Sequence, residues 1–279
     1  MHALFSLLNT PVGTAAHVRR AGMATLCRLA CAAAEAGRTA VIVTRSRAEF
    51  AEARALAALL TPSLSVDDAP LSRPAWESPC LALPPGLGLR ADRDAWGSRM
   101  AALYGLALRQ PRCVIVSLES LLIRQMPPAF FDGHVLELER GSDYAPDLVI
   151  EQLVEWGYTR VPMVTHGGEL ARRGDILDIF PPGYARPVRL EFFGDTVDEL
   201  RLFDAESQRS LEDLSAVTLL PTLPFVLDEP GVKAVRKRLD TLLGEGRISE
   251  NDCYSAKKAL LSGGAGLFPG MAHETSCLL

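Results

Sequence analysis

The pattern of apolar and polar positions divides this chain into an α/β stretch, a stretch of strict alternation, and a helical end. Ala15 to Glu35 is alanine-rich and reads as a helix that Gly37 stops, and Thr39-Ala-Val-Ile-Val-Thr44 is a short continuous apolar run of the kind that forms a strand buried on both faces. Ser46 and Glu49 form a capping box for a helix through Leu60. A Pro-rich stretch from Pro70 to Pro85 holds a short apolar segment at Cys80 to Leu83. A helix around Arg93 to Arg109 then leads to a second apolar strand, Cys113-Val-Ile-Val-Ser117. Such alternation predicts a parallel sheet covered by helices over residues 1–133.

The second stretch, 134–221, begins with a strand at Val135 to Glu139 and an amphipathic helix at Asp147 to Trp156. Leu148, Leu153 and Trp156 of that helix are expected to cover the inner face of a sheet formed by 159–220, with Val149 and Val154 as further candidates. In Val188-Arg-Leu-Glu-Phe-Phe193, a period of two sends Val188, Leu190 and Phe192 inward and Arg189, Glu191 and Phe193 outward. Gly194-Asp195 supplies a two-residue hairpin turn. Leu200 and Leu202 resume the inward register, so Glu199, Arg201 and Phe203 face out. Aromatic rings among charges on one open face either cover the hairpin or pack on a neighbouring unit, or they form a docking surface. The third stretch, 222–279, contains a basic helix near Gly231 to Leu243 and another at Glu250 to Leu261, then a Gly-rich, poorly patterned end.

Composition narrows the chemistry. The 279 residues exceed the usual single-domain size, and 48% hydrophobic content suffices for two or three cores. A net charge of −5 gives the whole chain no electrostatic reason to hold DNA, which favours a protein partner; Lys233 to Arg238 is the one basic cluster able to supply a DNA-binding face, and such a run is usually the wet side of a helix. The six cysteines contain no C-x-x-C pair and the histidines are scattered, so buried thiols in a reducing cytoplasm are expected, with no metal and no cofactor. No basic n-region and no run of membrane-spanning length occurs, which predicts a soluble, cytoplasmic protein. Asp92 to Asp94 reads as a solvated helix start.

Gly157-Tyr158, Arg172-Arg173-Gly174-Asp175, Phe192-Phe193-Gly194-Asp195 and Phe203-Asp204 through Gln208-Arg209-Ser210 carry a family resemblance. Together they resemble the UvrB-homology region of the bacterial transcription-repair coupling factors (Mfd). The related excision-repair protein UvrB shares the Arg-Gly-Asp, Ile-Phe-Pro and Phe-Phe-Gly-Asp elements, but Phe-Asp with Gln-Arg-Ser is more similar to the coupling factors. The likeness is dense over 155–221 and fades toward the C-terminus, where the chain looks like a fragment or a shortened product.

The resemblance implies an α/β fold: a degenerate RecA-like subdomain (1–133), an inserted small α+β domain that binds UvrA (134–221), and a helical return segment, truncated here (222–279). It implies recruitment of the damage-recognition ATPase UvrA in transcription-coupled nucleotide excision repair. RNA polymerase and double-stranded DNA are engaged by other domains of the full-length family. The family's UvrA contacts fall on Arg173, Arg189 and Phe193. Arg172, Glu191, Arg201 and Phe203 are added from the pattern, Arg172 as extra charge beside the site. Reversing the charge at Arg189 is expected to weaken the partner by ~2 kcal/mol or more with the fold intact.

UvrB's phosphate loop has the form G-x-x-x-x-G-K-[ST]. The corresponding segment here, Asn9-Thr-Pro-Val-Gly13 to Arg20, has one glycine, no lysine and a proline where N–H donors are needed. UvrB's aromatic DNA-clamping hairpin is also not seen. No catalysis is therefore expected of this chain, the alternative being a UvrB-like ATP-dependent damaged-DNA-binding protein.

Overall fold

Apolar runs of four or five residues build the first sheet. Strands β1 (Ala40–Thr44), β2 (Cys80–Leu83) and β3 (Cys113–Ser117) pair in parallel in the order β1-β3-β2. The computed structural model describes residues 21–60, 72–84, 93–110, 112–122, 125–223 and 229–261. The degenerate phosphate-loop segment, Asp92 and the Gly-rich end lie outside them. Helices α1 (Met23–Glu35) and α2 (Arg47–Leu60) cover the face that carries Ile42, Cys113 and Ile115. Helix α3 (Arg93–Ala107) covers the opposite face through Met100 and Leu103, which meet Leu83 and Val116, and the short α4 (Leu118–Leu121) follows β3 directly.

The central β3 is buried at every position, as its apolar run predicts. The run at Thr39 to Thr44 departs from expectation, because β1 is an edge strand whose Val41 and Val43 are 56% and 49% exposed. An apolar run therefore marked the strand but not its place in the sheet. The capping box forms at the head of α2: Ser46 Oγ accepts from the Glu49 N–H at 3.2 Å, and the Glu49 carboxylate accepts from the Arg45 N–H, one residue earlier than the usual partner. No disulfide joins the described cysteines.

A second sheet orders its strands β10-β9-β8-β7-β6-β5. They are β5 (Thr159–Arg160), β6 (Glu169–Arg173), β7 (Ile176–Ile179), β8 (Val188–Phe193), β9 (Thr196–Phe203) and β10 (Ser210–Asp213). All pairs are antiparallel except β5 with β6. Gly174-Asp175 and Gly194-Asp195 close two-residue hairpins, with φ of +63° and +65° at the glycines, a region most residues avoid.

The sheet's inner face, with Leu177, Ile179, Leu190, Phe192 and Leu200, packs on helix α5 (Pro146–Glu155) and on the pair β4 (Leu136–Glu139) and β11 (Ala216–Leu219). Leu153 and Trp156 are buried as expected. Leu148 is instead 66% exposed, because the helix turns Val149, Ile150, Leu153 and Trp156 inward at i, i+1, i+4 and i+7.

The two sheets meet at Trp76. Its ring lies edge-on to Tyr104 at 5.4 Å and to Tyr184 at 5.5 Å, over Ala101 and Leu220. Gly183, at φ +85°, lets the chain pass this ring, since a Cβ there would lie 2.3 Å from it.

Helices α6 (Glu229–Gly244) and α7 (Glu250–Leu261) form an antiparallel pair around Leu239, Cys253 and Ala256. The architecture is thus mixed, with a parallel sheet covered by helices and a largely antiparallel sheet backed by one. Among the described residues no helix is long and apolar enough to cross a membrane.

Candidate partner-docking site

Strand register decides which side chains share the outer face of the six-stranded sheet. The Gly174-Asp175 turn pairs Arg173 with Ile176, and two residues on this sets Ala171 opposite Asp178. Across β7 and β8, Asp178 faces Arg189 and Ile176 faces Glu191; across β8 and β9, Arg189 faces Arg201 and Glu191 faces Glu199. A bulge follows Glu191, after which Phe193 pairs with Thr196 at the hairpin tip. The outer face therefore carries one row of Ala171, Asp178, Arg189 and Arg201, a second of Arg173, Ile176, Glu191 and Glu199, and Phe193 beyond them.

Like charges directly opposite destabilise a sheet, so these rows are stable only if the charges pair elsewhere. They do. Arg201 turns diagonally to Glu191, at 3.1 Å, and also contacts Glu199. Arg189 turns to Asp178, whose side chain is 1% exposed: Nε and Nη2 donate to its two oxygens at 2.6 and 2.9 Å. Arg173 Nη2 lies 3.6 Å from the same carboxylate. Arg189 also donates to Gln208 Oε1 at 3.3 Å, and its guanidinium sits 4.5 Å above the Phe203 ring. The hydrogen bond to Asp178 raises the Arg189 pKa above its ordinary value, against the opposing effect of burial. An isolated buried carboxylate is costly, so Arg189 and Arg173 together make Asp178 tolerable.

The predicted residues consequently separate. Phe193 is 83% exposed at the hairpin tip. Arg173 is about half exposed and holds Asp178 with only one longer contact. Glu191 is partly exposed and tied to Arg201. Arg189 lies on the outer face, as alternation places it, but most of its side chain is covered and its fork is engaged within the sheet.

Two expectations are corrected. Phe203 is fully buried: the segment after β5 folds across that end of the outer face, and Val164 packs with Ala171, Phe180 and Phe203. The outer face is open only toward the hairpin tips. Arg172 does not sit beside Arg173 in the site. One residue's step puts it on the opposite side of the pleat, where it pairs with Asp147 at the start of α5 and donates to the Gly174 carbonyl at 3.1 Å.

Asp178 and Gln208 were not anticipated from sequence. A signal for Asp178 existed, since it is the one charge in Ile176-Leu-Asp-Ile179, and a buried strand charge needs a partner. Gln208, at φ +60°, has no comparable mark. Among the described residues no three His, Cys, Asp or Glu side chains are disposed to hold a metal. The arrangement offers recognition, with an exposed ring at the hairpin tip beyond a row that holds a half-exposed arginine and a partly exposed carboxylate.

Comparison with known proteins places this face in a defined family region. Residues 136–225 match the family model described as the UvrB interaction domain. The chain is 36% identical over 172 residues to the transcription-repair-coupling factor of Escherichia coli (strain K12), covering 62% of this chain and 15% of that protein. It is 39% identical over 160 residues to the coupling factor of Mycobacterium tuberculosis (strain CDC 1551 / Oshkosh), covering 55% and 12%. It is also 32% identical over 151 residues to the UvrABC system protein B of Pseudothermotoga lettingae, covering 53% and 23%. The chain thus spans 15% or less of these two coupling factors. On these matches residues 136–225 correspond to a UvrB interaction domain, and the chain is similar to the UvrB-homology region of the bacterial transcription-repair coupling factors.

Proposed function

We propose that this chain is a non-catalytic docking module that recruits UvrA in transcription-coupled nucleotide excision repair, and that UvrA lands on the open end of the six-stranded sheet. The observation that carries this reading is Phe193. A benzyl ring 83% exposed at a hairpin tip, within the segment matched by the UvrB interaction domain, has no packing role in the chain's own core. Glu191, two residues before it on β8, and Arg173, level with Glu191 on β6, supply a polar rim, the usual surroundings of a hot-spot ring. In this reading Arg189 acts by holding Asp178 and the strand pair beneath the ring.

The proposal includes the domain assignment: a degenerate RecA-like unit over 1–133, the UvrA-binding unit over 134–221 and a helical return segment over 222–279. The cytoplasm is the compartment this role requires. RNA polymerase binding and DNA translocation are assigned to parts of the family protein beyond this chain.

Biolayer interferometry with immobilised chain and purified UvrA tests the reading. Phe193→Ala is expected to lose about 2 kcal/mol or more of binding energy, the scale of a hot-spot truncation, with an unchanged circular dichroism spectrum. Unaltered binding by this variant rejects the site.

A further inference from the structure

Helices α6 and α7 bring together charges that lie apart in the sequence. On α6, Lys233, Arg236, Lys237 and Asp240 follow i, i+3, i+4 and i+7 spacing and form one stripe; on α7, Tyr254, Lys257 and Lys258 do the same at i, i+3 and i+4. Packing of Leu239 on Cys253 and Ala256 sets the stripes side by side. Between them opens a groove of about 450 Å³ lined by Arg236, Asp240, Tyr254, Lys257 and Lys258.

Asp240 is the one carboxylate in this lining, and Lys257 Nζ holds it at 2.5 Å. Tyr254 is 69% exposed at the same groove. The chain as a whole carries −5, so this cationic groove is a local feature set against the overall charge.

We propose that the α6–α7 groove binds single-stranded nucleic acid, with phosphates on Arg236 and Lys258 and a base on the Tyr254 ring. Cations beside an exposed aromatic face are what a strand with unstacked bases requires, since the phosphates supply the attraction and the ring accepts any base. A duplex keeps its bases stacked and gives the ring nothing to meet. An acidic peptide would satisfy the cations and leave the ring without a matching surface.

Fluorescence anisotropy of the full chain with labelled oligothymidylate, with the matching duplex, and with a glutamate-rich peptide as competitor tests this. Oligothymidylate is expected to bind in preference to duplex and to weaken as salt rises. Lys258→Ala should shallow the slope of log affinity against log salt by about 0.7, the value for one lost phosphate contact on a single strand. Tyr254→Ala should weaken binding ~5-fold or more while leaving that slope unchanged. Both side chains are exposed, and circular dichroism and thermal melting verify that the variants fold. No binding at low salt, Tyr254→Ala binding like the parent, or competition by the peptide equal to that of unlabelled oligonucleotide overturns the proposal.

Discussion

Arg189 and Phe193 lie four residues apart on one strand and one face, yet their surroundings give them opposite roles. Phe193 is spent on nothing within the chain, whereas Arg189 closes a bidentate pair with a carboxylate that is almost wholly buried. The expectation that Arg189→Glu would leave the fold intact is therefore reversed. Opposing Asp178 with a second carboxylate breaks a buried pair and should cost about 3–5 kcal/mol of stability, read as a lower midpoint in urea unfolding. A double variant, Arg189→Leu with Asp178→Leu, should recover most of that loss, because a buried ion pair replaced by well-packed apolar groups is often neutral. If Arg189→Glu unfolds at the parent's midpoint, Asp178 is not the buried anchor described here. Alternation showed that Arg189 points outward, but it said nothing about Asp178, because that contact depends on the β7–β8 register across a connection with no fixed turn.

At the scale of elements, local chemistry was the most legible part of the sequence. Gly-Asp at 194–195 marked the β8–β9 hairpin, Ser46 with Glu49 marked the head of α2, and the apolar runs marked all three strands of the parallel sheet, while the same dipeptide at 174–175 closes a hairpin that was not read as one. What failed were statements of facing that rest on a neighbour: Val41 and Val43 are exposed because β1 is an edge, Leu148 because α5 is rotated, and Phe203 is buried because Val164 crosses over it. Surroundings likewise separate two glycines of similar conformation. Gly194→Ala meets open space and should cost only the left-handed backbone penalty, roughly 1–2 kcal/mol. Gly183→Ala drives a methyl into the Trp76 ring as well and should lower the thermal midpoint distinctly further. Equal losses at the two positions would contradict the packing at the junction.

At the scale of the molecule, the meeting of the two sheets was the least legible feature. Trp76, Tyr104, Tyr184 and Leu220 come from four distant stretches, and no spacing rule links them. Trp76→Ala is expected to cost about 3–5 kcal/mol, as truncation of a buried tryptophan does, measured by chemical denaturation. The proposed docking tip lies on the outer face of the six-stranded sheet, opposite the core against α5, so partner binding there need not disturb that core. Hydrogen–deuterium exchange of the full chain with and without UvrA tests this placement most directly. Slower exchange over 173–176 and 191–196, with the α6–α7 pair unchanged, is the predicted result; a complex that forms while both hairpin tips exchange as in the free chain contradicts it.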